Sequence, residues 1–352
     1  MKLLPLSSPN LKLLLLSLMH LVTDGLCSYL IFVKLYPENP EMSIFVFFAY
    51  NILAFVTQSP VGLFIDKYNK PKLFLGISIV AMLLGYLFSD IWILSVFFIG
   101  MANSIFHIAG GKYVTDKSGN DISHLGIFVS TGAIGLVLGQ RYLEIVALPY
   151  IFFAILVICG LLMIFSEDSE TKSYSEEYIE ADGANVALFA IVAVVFIRSF
   201  VGKVITPEFS LSREIFLIIS LATALGKAMG GICSKLVGVR ITTYVSMALA
   251  ALCLTLGVGS EVAFILGVFA FNFSMPITLY YANILLKGNE GFAFGTLAAS
   301  LTPGFFIAMA FTYSIPMRIA TALLCVVSML VIVLVSKRII SHGSSGITND
   351  NS

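Results

Sequence analysis

Twelve apolar runs, most of them about twenty residues long, follow one another along this chain, each bounded by charged or turn residues. About twenty helical residues cross the hydrocarbon core of a bilayer. A backbone in lipid has no water to bond with, so only helices and closed barrels span it. The runs are continuous rather than alternating, which leaves helices. Spans are expected at 11–35, 42–64, 72–88, 91–113, 122–141, 149–166, 184–206, 214–235, 241–259, 262–286, 291–313 and 316–336. Composition agrees. Hydrophobic residues make up 59% of the 352 residues and charged ones 11%, against about 25% charged in soluble proteins.

Charge in the loops orients the chain. With the first residues inside, thirteen Lys and Arg fall in inner segments and five in outer ones, leaving Arg198 and Lys227 within spans. That asymmetry predicts both termini in the cytoplasm. The leucine-rich start runs past Asp24 to Leu35 without a small-residue cleavage site and reads as a retained first span. Net charge is zero and the basic residues are scattered, so no nucleic-acid partner is expected. Cys27, Cys159, Cys233, Cys253 and Cys325 lie in or beside apolar runs without a CxxC or Cys/His cluster. They read as buried free thiols.

One segment departs from this pattern. Ser166 to Gly183 carries seven acids and one lysine and reads as a solvated linker. It divides the spans six and six. The expected organisation is therefore 1–166 as one six-helix bundle, 167–183 as a cytoplasmic linker, 184–340 as a second bundle and 341–352 as a disordered tail.

The halves echo each other. GLFIDKYNKPK (Gly62 to Lys72) follows the second span, and GGICSKLVGVR (Gly230 to Arg240) follows the eighth. Internal repeats are the usual plan of secondary transporters, with the binding site between the repeats.

Ionisable side chains inside spans mark function by default, because each is costly in lipid. His20 and Asp24 are four apart and share a helix face, as do Asn103 and His107. Asn272 and Asn283 are eleven apart, about three turns. Gly126, Gly132, Gly135 and Gly139 in the fifth span read as close-packing positions. Pro276 and Pro303 predict bends in spans ten and eleven. No HExxH, GxSxG or GxxxxGK[ST] occurs, so no enzyme activity is expected. His20, Asp24 and His107 could in principle ligate a metal, but neither metal nor cofactor is expected.

Gly62, Asp66, Lys67 and Lys70 resemble the Gly-x-x-x-Asp-Arg-x-Gly-Arg-Lys loop of the major facilitator superfamily, and stand where that family has it, between spans two and three. Asn69 replaces a glycine and Pro71 a basic residue; Ser234-Lys235 occupies the place of an acid in the second copy. A narrower resemblance is to the branch of fosmidomycin-resistance efflux proteins. It is carried by His20-x-x-x-Asp24, Phe106-His107 before Gly110-Gly111, Arg198-Ser199, and Met275 to Leu279 followed by Gly291 to Gly295.

The resemblance implies an all-α membrane fold of twelve helices in two pseudo-symmetric bundles, probing its substrate through a cavity lined by spans one, four, seven and ten. The polar residues above fall in those spans. It implies an inner-membrane, monomeric transporter whose partners are a small molecule, protons and the bilayer. Proton-coupled efflux by antiport is expected, with symport, uniport or a polytopic membrane enzyme as alternatives. Asp24, His20 and His107 would handle the proton. Asn103, Arg198, Asn272 and Asn283 would line the cavity. Gly62, Asp66, Lys67 and Lys70 would form a gating loop.

Overall fold

The computed structural model describes residues 8–142, 145–167, 183–205, 212–256, 260–311 and 315–345. Most of the expected acidic linker, and the tail from 346, lie outside the described residues. Ten helices are long and apolar enough to cross a membrane: α1 (Pro9–Glu38), α2 (Pro40–Tyr68), α4 (Trp92–Ser118), α5 (Ile122–Arg141), α6 (Leu148–Phe165), α7 (Ala184–Ile205), α8 (Arg213–Val237), α10 (Glu261–Leu285), α11 (Glu290–Ala308) and α12 (Pro316–Ile339). Two shorter apolar helices complete the set, α3 (Pro71–Leu87) and α9 (Val239–Thr255). These are the twelve expected spans, with α4 running on to Ser118 and α11 ending at Ala308.

The helix ends follow local chemistry. Asn69 ends α2 in left-handed geometry at φ 49°, which asparagine tolerates, and Pro71 starts α3 at a position whose missing N–H costs nothing. Gly119 and Asn120, at φ 66° and 59°, turn the chain out of α4. The Asp121 carboxylate then caps α5 by accepting from Ser123 N at 2.9 Å.

Several spans are not uniform helices. The α1 backbone widens to π geometry over Leu30–Leu35, and α2 does so over Ile52–Val56. A turn at Asn272 and Phe273 interrupts α10. Pro276 lacks the N–H that would bond to the Asn272 carbonyl four residues back, and Met275 N bonds there instead. Pro303, by contrast, sits inside a continuous α11.

Within each half the packing repeats. The α1/α5 contact in the first half corresponds to α7/α11 in the second. The halves meet along two seams, α2 against α11 and α5 against α8. Phe48 of α2 stacks on Phe306 of α11, with ring centroids 4.4 Å apart. Arg141 of α5 lies over the Phe216 ring of α8 at 4.3 Å. Small residues let the backbones approach: Gly126 of α5 faces Gly231 of α8, and Gly62 of α2 faces Gly291 of α11.

Candidate functional site

The expected proton residues converge near the middle of the first bundle. His20 Nε2 is 3.3 Å from Asp24 Oδ2, and His107 Nε2 is 3.6 Å from Asp24 Oδ1. Asn103 Nδ2 donates to Asp24 Oδ1 at 2.9 Å. The i, i+4 spacing on α1 and on α4 places these four side chains on facing stripes. All four are buried.

The two imidazoles are fixed from behind. His20 Nδ1 lies 2.7 Å from the Phe128 carbonyl of α5, and His107 Nδ1 lies 2.9 Å from the Asn103 carbonyl. A carbonyl only accepts, so each Nδ1 carries its proton and donates it. The neutral rings then face each other with bare lone pairs. Their Nε2 atoms are only 2.9 Å apart, which is hydrogen-bond distance. One added proton between them makes that contact attractive, and Asp24 balances its charge. His20, Asp24 and His107 offer ligand atoms within 4.8 Å of one another, so the donor set also has the size of a cation site. Gly132 of α5 closes the cluster on one side, where a Cβ would run into Asp24 Oδ2 and His20 Nε2.

The second bundle brings one cation within electrostatic reach of this cluster and a second within reach of the first. Lys227 of α8 is close enough to interact electrostatically with Asp24, His107 and Arg198. Arg198 of α7 donates to Thr278 Oγ1 of α10 at 3.5 Å. Neither cation has a carboxylate within ion-pair distance among the described residues, and both remain partly accessible. Their charge opposes a divalent cation at the histidine pair.

Asn272 does not reach the cluster. Its amide donates back to Val268 O at 2.8 Å, within α10. Asn283 lies apart from the cluster, further along α10. The turn at Asn272 and Phe273 breaks the helical register on which the shared face of these two residues depended. Asn283 is fully buried at the basic-loop end, where it donates to Asn120 Oδ1 at 2.9 Å and Thr115 Oγ1 at 3.3 Å of the other half.

That end holds a network of charges across the two halves. Asp66 accepts from Gly291 N at 2.9 Å and Phe292 N at 2.8 Å, capping the N-terminus of α11. Lys112 of α4 lies 3.3 Å from Asp66, 3.1 Å from Glu290 and 3.4 Å from Asp116. Lys67 and Lys70 are exposed and take no part in this network. By loop charge alone Lys112 is one more inner basic residue; its place one turn from Asp116 is the sequence signal of an ion pair. The second seam has its own tie, because Lys235 Nζ lies 2.6 Å from Asp121 Oδ2. Its acid comes from the opposite bundle, which is why the second loop copy lacks one. A separate cavity of about 730 Å³ opens beside this tie, lined by residues that include Asn120, Asp121, Lys235 and Arg240, and reaches none of the proton residues.

No family model and no curated protein matches this chain. Solved structures do. The fold is similar to that of the E. coli fucose:proton symporter FucP, at 12% identity over 93% of this chain and 98% of that one, with TM-score 0.69. A bacterial homologue of the iron transporter ferroportin, in an outward-facing state, is 14% identical over 96% and 100%, with TM-score 0.59. The human organic anion transporter MFSD10 is 12% identical over 94% and 100%, with TM-score 0.60. The chain thus has the two-bundle fold of the major facilitator superfamily.

Proposed function

We propose that this chain is a proton-coupled secondary transporter that moves a small molecule across the inner membrane by alternating access. The contact between His20 Nε2 and His107 Nε2 beside Asp24 carries the reading, because it requires a proton to be stable. With that proton, imidazolium and carboxylate cancel. Without it, the cluster is a net anion facing Lys227 and Arg198, and attraction draws the bundles together across the site. Protonation state thereby biases the packing of the two halves, which coupling requires.

The basic-loop asymmetry supports both termini in the cytoplasm. The end closed by Asp66, Lys112 and Asn283 is then the inner one, and the site faces outward. In opening inward, the halves would rock about the α2/α11 and α5/α8 seams.

Two senses of coupling fit one proton site. The resemblance to efflux proteins points to antiport, in which proton and substrate exclude each other. Lys227 and Arg198, which have no carboxylate within ion-pair distance among the described residues, point to symport, in which proton and substrate bind together. The test is transport in proteoliposomes under an imposed pH gradient, where the direction of substrate movement separates the senses. Asp24→Asn abolishes the response to the gradient while leaving the protein folded; undiminished gradient-driven transport in that variant removes the proton site. A stoichiometric transition metal in the purified protein would replace the proton with a metal ion.

A further inference from the structure

The geometry points to a small organic anion as the substrate, held by Arg198 and Lys227 together. Three observations carry this, and it rests on the proton-coupled reading above. First, Lys227 and Arg198 lie within electrostatic reach of each other in the membrane interior, with no carboxylate within ion-pair distance among the described residues, and the Arg198 guanidinium reaches only the Thr278 hydroxyl, at 3.5 Å. A cation within a span and without a carboxylate partner is expensive even when partly accessible, and two within reach of each other repel, so a site that keeps both has a use for their charge. Second, the nearby acid is already engaged. Asp24 takes the Asn103 amide and both imidazoles, all from its own bundle. Once the cluster holds its proton it is neutral and offers the cations nothing. Third, the two side chains come from different helices, α7 and α8, as a two-point clamp on one charged head does. Arg198 supplies a planar fork for an oxyanion, and Lys227 supplies a mobile point charge.

A head with two negative charges, such as a dicarboxylate or a phosphate monoester, neutralises both cations. Lys227 thereby joins the site as a binding residue, which its place in the sequence alone did not show.

The charge arithmetic also fixes the sign of coupling. From the second bundle, Lys227 lies within electrostatic reach of the cluster and Arg198 within reach of Lys227. Cys27 of α1 and Tyr50 of α2 flank Asp24. Phe128 and Gly132 of α5 and Thr278 of α10 do not titrate. Deprotonated, the cluster is itself the anion that the cations attract. Protonated, it releases them. Proton and anion therefore bind together, and the anion binds more tightly at lower pH. This is the symport sense.

The test is ligand-dependent thermal stabilisation of the purified full-length protein. The probes are succinate, glycerol 3-phosphate and inorganic phosphate, set against the neutral succinamide and glycerol and the dication putrescine. One anion class, carboxylate or phosphoryl, is expected to stabilise, and the two arms identify which; neutral and cationic probes do nothing. Lys227→Gln and Arg198→Gln each weaken the effect about tenfold or more, while Lys227→Arg retains most of it. For succinate, which keeps its second charge over most of this range whereas the phosphates take up a proton, binding is tighter at about pH 6.5 than at about pH 8, and Asp24→Asn flattens that dependence. Equal stabilisation by a neutral or cationic probe, no stabilisation by any anion, or anion binding untouched by both charge removals overturns the inference. Each variant's melting temperature without ligand shows whether it folds. Anion binding that is lost on removing the cations, yet insensitive to pH, sinks the proton site instead and leaves the anion site standing.

Discussion

Gly62 of α2 lies so close to Gly291 of α11 that a Cβ on Gly62 would overlap the Gly291 carbonyl. The same helix turn carries Asp66, whose carboxylate caps α11 at Gly291 and Phe292. Close approach and capping are therefore one feature: the carboxylate reaches two backbone N–H groups because nothing holds the helices apart. Gly62→Ala should destabilise the closed end by about 1–3 kcal/mol, as overpacking does. Cysteine accessibility at Thr296, opposite Ser59 on this seam, measures the opening and should rise.

Gly132 makes a sharper case. A methyl group there meets Asp24 Oδ2 and His20 Nε2, whereas at Gly202 a Cβ meets nothing within 4 Å. Gly132→Ala should lose the response of transport to a pH gradient, and Gly202→Ala should keep it. Equal behaviour of the two variants would separate the cluster from coupling.

Lys112 serves three acids at once. Lys112→Met leaves Asp66, Asp116 and Glu290 without their shared cation, and breaking such a buried network costs about 3–5 kcal/mol. Glu290→Gln removes one of three acids and should cost less. Thermal unfolding of the two purified variants gives the order.

Asp121 offers a pH signature outside the spans. Burial alone would raise its carboxyl, but His124, Lys235 and Ser123 outweigh burial and hold it well below the usual carboxylate range. Its folded value is thus lower than its unfolded one. The stabilisation is complete above the unfolded value, about pH 4, and is lost as pH falls below it toward the folded value. The melting temperature should fall on acidification in the wild type, and this component should vanish in Asp121→Asn. Lys235→Met should weaken it.

The fold was legible because lipid leaves the backbone few options. Run length alone placed every helix within a few residues, and loop charge grouped their ends. The His20–Asp24–Asn103–His107 cluster was legible for a related reason. Each polar pair sits at helical spacing, and a costly side chain in a span has to face protein. Two things were hidden. The break in α10 accompanies the missing N–H at Pro276, which a span count does not register, and it changes the register between Asn272 and Asn283. The surroundings of Lys112 and Lys227 were hidden because they come largely from other helices: Asp66 and Glu290 join Asp116 around Lys112, whereas Lys227 has no carboxylate within ion-pair distance among the described residues.

The wide turn in α1, Leu30–Leu35, lies beyond the histidine cluster, toward the end opposite the basic loops. One residue more or fewer in a helix rotates everything past it by about 100°. A single-residue deletion in that stretch would tighten it to ordinary helix and swing the outermost turn of α1, while His20 and Asp24 keep their places. The end of α1 opposite the basic loops can therefore be rotated by one-residue insertions and deletions while the His20–Asp24 pair beneath it stays in register.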